Sequence, residues 1–133
     1  MDKTIILLST DDLFDLQGGL QKYGNVCRLT HCKSVLSELE AGRKIDAMIM
    51  RLLLSPDENV PVSPSSGIVL IEQLKEKFDL SKIIILTTAS MMYKVKSAMN
   101  LGVREIVYLD DPYFTEILFR KLQEILQKQL VPV

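Results

Sequence analysis

The feature that most constrains this chain is a repeated alternation of two kinds of segment. Five short runs are apolar almost throughout: KTIILLS (3–9), NVCRLT (25–30), IDAMIMR (45–51), KIIILTT (82–88) and EIVYL (105–109). Runs of this length and character fit strands covered on both faces, as in a parallel sheet. Each is followed by a stretch of helical period. DDLFDLQGGLQKYG (11–24) predicts a short helix closed by Gly24, weakened by Gly18 and Gly19 at about 1 kcal/mol each relative to Ala. KSVLSELEAG (33–42) predicts an amphipathic helix with Val35, Leu36 and Leu39 on one face and Gly42 at its end. GIVLIEQLKEKF (67–78) predicts a third helix, with Ser65 or Ser66 as its cap, and SMMYKVKSAMNLG (90–102) a fourth, between Ser90 and Gly102. The last and longest helix, 112–130, places Pro112 in its first turn and Phe114, Ile117, Leu118, Leu122 and Ile125 on its inner face. One stretch breaks the alternation. LLLSPDENVPVSPSSG, after the third strand, holds three of the five prolines and no helical period, which predicts a long loop.

The expected fold is therefore α/β: a (βα)5 doubly wound, five-stranded parallel sheet. Right-handed crossovers allow the flavodoxin-like strand order 2-1-3-4-5. The 133 residues suit one domain, taken as 1–130 with a short tail at 131–133. In such a sheet the site lies beyond the carboxyl ends of the strands, near the switch point beside the first strand. Those ends carry Ser9 to Asp12, Arg51, Thr87–Thr88 and Leu109 to Asp111.

Composition narrows the function classes. Lys+Arg number 16 against 17 Asp+Glu, a formal net charge of −1, so no basic excess favours nucleic acid and no polybasic run favours a membrane surface. The opening MDKTIILLST is too short to span a bilayer and lacks the flanks of a signal peptide, so a cytoplasmic location is expected. Cys27 and Cys32 bracket His31, but zinc normally takes three or four ligands and the chain offers no others of this kind. They read as small residues at a strand end. The single His lacks any motif for a Ser-His-Asp or Cys-His site. No glycine-rich phosphate loop stands between a strand and a helix.

The strand ends suggest their own chemistry. Asp11 and Asp12 suit either an oxygen cage for a hard cation such as Mg2+ or the cap of the next helix. A hydroxyl of Thr87 or Thr88 suits a phosphoryl oxygen or the local backbone, and Asp110-Asp111-Pro112 follows the last strand.

With these residues in order, the chain resembles a receiver domain of two-component response regulators, the fold of the single-domain chemotaxis regulator. The likeness covers nearly the whole chain. Asp11-Asp12 after TIILLST resembles the metal-binding acidic pair. IDAMIM resembles the third strand, and IIILTTASMMYKVKSAMNLGV the fourth strand and helix. Thr87, by its distance from Gly102, resembles the family's hydroxyl residue, and Thr88, next to Ala89, is the other candidate. Asp111-Pro112-Tyr113 resembles the Lys-Pro-Phe step, and Tyr108 the switch aromatic if no gap precedes Asp111.

The departures from that pattern point away from phosphorylation. Arg51 stands where the resemblance implies the phosphoacceptor aspartate, and Asp111, or Leu109 in the other alignment, where it implies the lysine. The connection from Arg51 to Gly67 is about eight residues longer than in the family, and the first helix about one turn shorter. Guanidinium has no lone pair to attack phosphorus and stays protonated. It also repels Mg2+, and it is placed to form a bidentate pair with Asp11 or Asp12. The expected degenerate pocket comprises Asp11, Asp12, Arg51, Thr87, Thr88 and Asp111, with no catalytic residue and no cofactor.

What remains is binding: an atypical, phosphorylation-independent receiver, a cytoplasmic signal-transduction module. The resemblance implies a signalling protein or an output domain as partner, with homodimerisation through the fourth helix, fifth strand and fifth helix as a further option. Met92, Tyr93, Lys96, Met99 and Tyr108 are the candidate contact residues, against the alternative that the two methionines tuck into the core. Two other readings stand beside this one. One is a working Mg2+-dependent receiver with another acceptor, Asp57 above all. The other is a small flavodoxin-like nucleotide- or flavin-binding domain, which the acidic STDDLFD disfavours.

Overall fold

The computed structural model describes residues 3–11 and 16–128. Strands β1 (Thr4–Leu8), β2 (Asn25–Leu29), β3 (Ala47–Arg51), β4 (Ile83–Thr87) and β5 (Glu105–Tyr108) alternate with helices α1 (Leu16–Leu20), α2 (Cys32–Glu40), α3 (Ser66–Leu74), α4 (Met92–Leu101) and α5 (Phe114–Lys128). All neighbouring strands pair in parallel, in the order β2-β1-β3-β4-β5. This is the doubly wound sheet expected from the unbroken apolar runs.

Strand side chains alternate between faces, so each run feeds two cores. Ile6, Leu8, Met48, Met50, Ile83 and Ile85 pack with α2, α3 and α4 through Val35, Leu70, Ile71 and Val95. Ile5, Leu7, Ala47, Ile49, Ile84 and Leu86 pack with α1 and α5 through Leu16, Leu20, Leu118 and Leu122. Each large buried side chain of this kind contributes about 1.5–3 kcal/mol, which explains why β1, β3 and β4 keep polar residues at their ends. Arg28, Ser9 and Arg51 fall in the register of the α1/α5 face, whereas Thr87 follows Ile83 and Ile85 on the other.

Several local expectations are corrected. Helix α1 ends at Leu20, with a turn through Tyr23, so the expected reach to Gly24 is too long. Its Gly19 lies against α5, where an added Cβ would be 2.8 Å from the Phe119 ring. Close helix packing, not a helix end, accounts for that glycine. Ser65 holds the N-cap position of α3 but makes no capping bond; its hydroxyl accepts from Lys94 Nζ. Ser90 caps nothing either. It sits inside a 3₁₀ turn (Ala89–Met91) that leads into α4. Pro112 lies in the turn before α5 rather than within its first turn. Gly102 terminates α4 as expected, with φ +123°. The tail at 131–133 lies outside the described residues.

The long connection after β3 carries no helix before α3, yet it is folded. Leu52 and Leu54 are fully buried. Leu54 and Ser63 exchange both backbone hydrogen bonds, at 3.4 and 2.9 Å, closing a small hairpin. Next to Leu54, Ser55 pairs with His31 beyond the end of β2. Its N–H donates to Thr10 Oγ1 at 3.0 Å, and the Thr10 hydroxyl donates to the Thr30 carbonyl at 2.6 Å. The Cys32 and Lys33 amides donate to the Ser55 and Pro56 carbonyls. The insertion thus crosses the end of β1 and is tied to the β2–α2 corner. Its return needs Gly67, where a Cβ would come within 2.7 Å of the Leu52 backbone.

Candidate functional site

The carboxyl edge of β1, β2 and β3 gathers a polar cluster on the α1/α5 face. Arg51, the last residue of β3, donates from one terminal guanidinium nitrogen to an Asp11 carboxylate oxygen at 2.6 Å. The Arg51 side chain is 14% exposed and that of Asp11 53%. The buried Ser9 hydroxyl donates to the other oxygen of the same carboxylate and to the Asp11 carbonyl. Arg28, reaching across from β2, donates to the Asp11 and Ser9 carbonyls at 2.7 and 3.3 Å. Two cations and one hydroxyl therefore hold the loop that follows β1.

The expected bidentate pair is not what forms. Arg51 meets Asp11 through a single nitrogen, and its Nε is buried without an acceptor, as is the Nε of Arg28. The β-strand register explains the geometry: Arg51 pairs with Leu86, so its side chain leaves along the sheet face that Ser9 shares rather than facing the carboxylate squarely. Asp12, the other candidate partner, lies outside the described residues.

Of the remaining pocket candidates, Thr87 is buried with its side chain on the opposite face from Arg51. The Thr88 hydroxyl is bonded to that of Ser90 at 2.7 Å. Asp111, expected as a further acidic member of the ion-pair cluster, instead accepts from the Tyr113 N–H at 2.8 Å and caps the turn before α5. Its neighbour Asp110 reaches back to the Ala89 N–H at 3.1 Å, joining the β5 and β4 ends. Asp57 lies in the insertion, bonded to the Glu58 N–H at 2.7 Å and 3.6 Å from Lys33 on α2. The Glu58 amide, then Lys33, hold its carboxyl below the usual range.

Ser9 stands among the strand ends expected to form the site, whereas Arg28 is a member of this cluster that the strand-end reading does not include. A lone charge inside an otherwise apolar edge strand, in the same face register as Ser9, is the signal that would have found Arg28. His31 is likewise not a ligand: its Nδ1 accepts from the Ser34 N–H as the N-cap of α2. Cys32 opens that helix, its thiol pushed up to about 11 by burial.

The described residues do not fit a divalent cation. No group of three or more His, Cys, Asp or Glu is placed to hold a metal among them. The only described carboxylate at the β1–β3 edge is already paired, and Arg28 occupies two nearby carbonyl oxygens. At an effective dielectric of about 20, a divalent ion some 5 Å from a guanidinium is repelled by on the order of 6 kcal/mol.

On the α4 side, Met92, Tyr93 and Met99 are exposed rather than tucked into the core, while Val95 and Ala98 are buried. Tyr108 is half-buried against the α2–α4 core. Among the described residues no helix is long and apolar enough to cross a membrane.

No protein-family model matches the chain, and no match is found among curated proteins. Solved structures do match. The chain is similar to a two-component response regulator from Clostridium difficile, at 20% identity and TM-score 0.75, over 98% of this chain and 100% of that one. It is similar to the signal receiver domain of an HD domain-containing protein from Pseudomonas fluorescens Pf-5, at 19% identity and TM-score 0.72, over 97% and 90%. A third likeness is to the response regulator DrrB of Thermotoga maritima, an OmpR/PhoB homolog, at 21% identity and TM-score 0.72. It covers 97% of this chain but 54% of that longer one. The chain has the fold of response-regulator receiver domains. At these identities the likeness is one of fold, and the chemistry must be argued from this chain's own residues.

Proposed function

We propose that this chain is a phosphorylation-independent receiver that signals by protein–protein contact. The observation that carries the reading is the Arg51–Asp11 contact at the end of β3. A phosphoryl acceptor there must be a nucleophile beside a charge-neutralising metal. The residue present is a permanent cation with no lone pair, already bonded to the carboxylate that a metal would need. Asp57 offers no substitute, because its carboxylate serves the Glu58 amide and Lys33 in the insertion. The receiver fold and the exposed Met92, Tyr93 and Met99 on α4 support a module that works through its surface, toward a signalling protein or an output domain.

The reading is tested with a small-molecule phosphodonor such as acetyl phosphate in the presence of Mg2+, followed by intact mass. The chain is expected to gain no phosphoryl group. A stoichiometric adduct that maps to Asp57 or any other carboxylate would overturn it.

A further inference from the structure

The cleft between α2, α3 and the insertion has a volume of about 440 Å3, a size typical of small-molecule sites. Its walls are largely apolar: Cys32 and Leu36 come from α2, Pro56 from the insertion and Val69 from α3. Val69 is half exposed, so the cleft opens to solvent along that side.

Two polar features of the walls bear on what would fill it. The first is Ser66, the opening residue of α3. It is 7% exposed, yet among the described residues its hydroxyl has no hydrogen-bond partner. A hydroxyl buried in that state carries a desolvation cost that an acceptor on a bound molecule would remove. The second is charge. Lys33 is the one charged residue among the described lining residues. Its ammonium stands 3.6 Å from Asp57, but the two side chains are 69% and 44% exposed, so the pair is loose and leaves other ammonium hydrogens to donate. Lys94 brings a second ammonium to the rim, 3.4 Å from Ser65 Oγ. The first turns of α2 and α3 both face the cleft and present the positive ends of their dipoles to it. The Cys32 thiol lies 3.7 Å from the Ser66 carbonyl, which sets Ser66 beside the turn that carries Lys33.

We propose that this cleft binds a small apolar molecule bearing one carboxylate. Its body lies against Leu36, Pro56 and Val69, and its carboxylate accepts from the Ser66 hydroxyl and the Lys33 ammonium. The apolar walls supply the contact, and the two donors select an anionic head over a neutral one. The cleft is on the α2–α3 side of the sheet, whereas the Arg51–Asp11 contact is on the α1/α5 face, so this reading and the phosphorylation-independent one fail separately.

The test is an NMR titration of the whole chain with octanoate, beside octanamide as its neutral isostere. Octanoate should shift the Leu36 and Val69 methyls and the Ser66 amide together, with half-saturation at about a millimolar or below. Octanamide should bind at least about fivefold more weakly. Ser66→Ala and Lys33→Gln should each weaken octanoate binding by roughly threefold or more, and Ser66→Ala should leave the urea midpoint unchanged. Val69→Trp, at a half-exposed position, should fill the cleft and abolish the response. No saturation by about ten millimolar octanoate overturns the proposal. So does octanamide binding equal to that of octanoate, or shifts spread equally to Met92 and Met99 on α4, the mark of non-specific adsorption. Variants at Ser66, Lys33 and Val69 that all respond like the parent overturn it as well.

Discussion

Arg51 and Asp11 set the character of the carboxyl edge through one contact of 2.6 Å. With Asp11 half exposed, such a pair adds little stability, typically under about 1 kcal/mol. The buried Nε of Arg51, without an acceptor, offsets even that. The pair thus contributes little to holding the fold. Arg51→Gln should change the urea midpoint by less than about 1 kcal/mol of stability, and a loss of several kcal/mol would contradict this view. Arg51→Asp should differ in kind: it replaces the repelling cation with a second carboxylate, and should acquire a thermal shift with millimolar Mg2+ that the parent lacks. Asp79 provides a separate check on local electrostatics. The Ser81 hydroxyl and N–H hold its carboxyl below the usual range, so folding favours the ionised form. Its contribution is complete above the ordinary carboxylate pKa of about 4 and is lost as pH falls through the lowered value. Asp79→Asn should therefore be less stable than the parent at pH 7, with the gap closing in acid unfolding experiments below about pH 4. Arg51 could be read from sequence because it ends a recognisable buried strand. Arg28 is legible only as a lone charge in β2; its reach to Asp11 depends on the pairing of Arg28 with Leu7, which no local pattern encodes.

Elements were legible in proportion to the regularity of their burial. The five apolar runs became the five strands because a doubly covered strand needs apolar residues at every position. Residue type alone misplaces two caps: Ser65 and Ser90 have capping side chains, but Lys94, across from α4, and Thr88, two residues away, engage them instead. The insertion was the least legible element. Its prolines and serines gave a loop, while the burial of Leu52 and Leu54 depends on the Thr10 hydroxyl and on strand β2, both remote in sequence. Gly67→Ala probes that closure, because the new Cβ meets backbone rather than a yielding side chain. It should cost about 1–3 kcal/mol in urea unfolding, and a neutral result would show that the insertion does not return as described. Cys32 tests the same corner from below. With its thiol at 6% exposure and its pKa pushed up to about 11, it should resist thiol reagents at neutral pH until the chain unfolds.

At the scale of the whole molecule, the two cores and the strand order place the five strand carboxyl ends and the insertion along one edge. The β1–β3 part of that edge is occupied by the contacts of Arg51, Arg28 and Ser9 with Asp11. The fold was readable because a repeating pattern of five strands and five helices leaves few topologies. The exchange of charges at the edge was readable only in part, because Asp110 and Asp111 divide their roles through turn geometry. The most direct test of the central claim is an amide NMR titration of the whole chain, first with Mg2+ and then with beryllofluoride as a stand-in for the phosphoryl group. The account predicts that the Asp11, Arg51 and Thr87 amides stay in place through both steps. Movement of those amides with Mg2+, followed by a beryllofluoride-dependent shift around Tyr108, would contradict it.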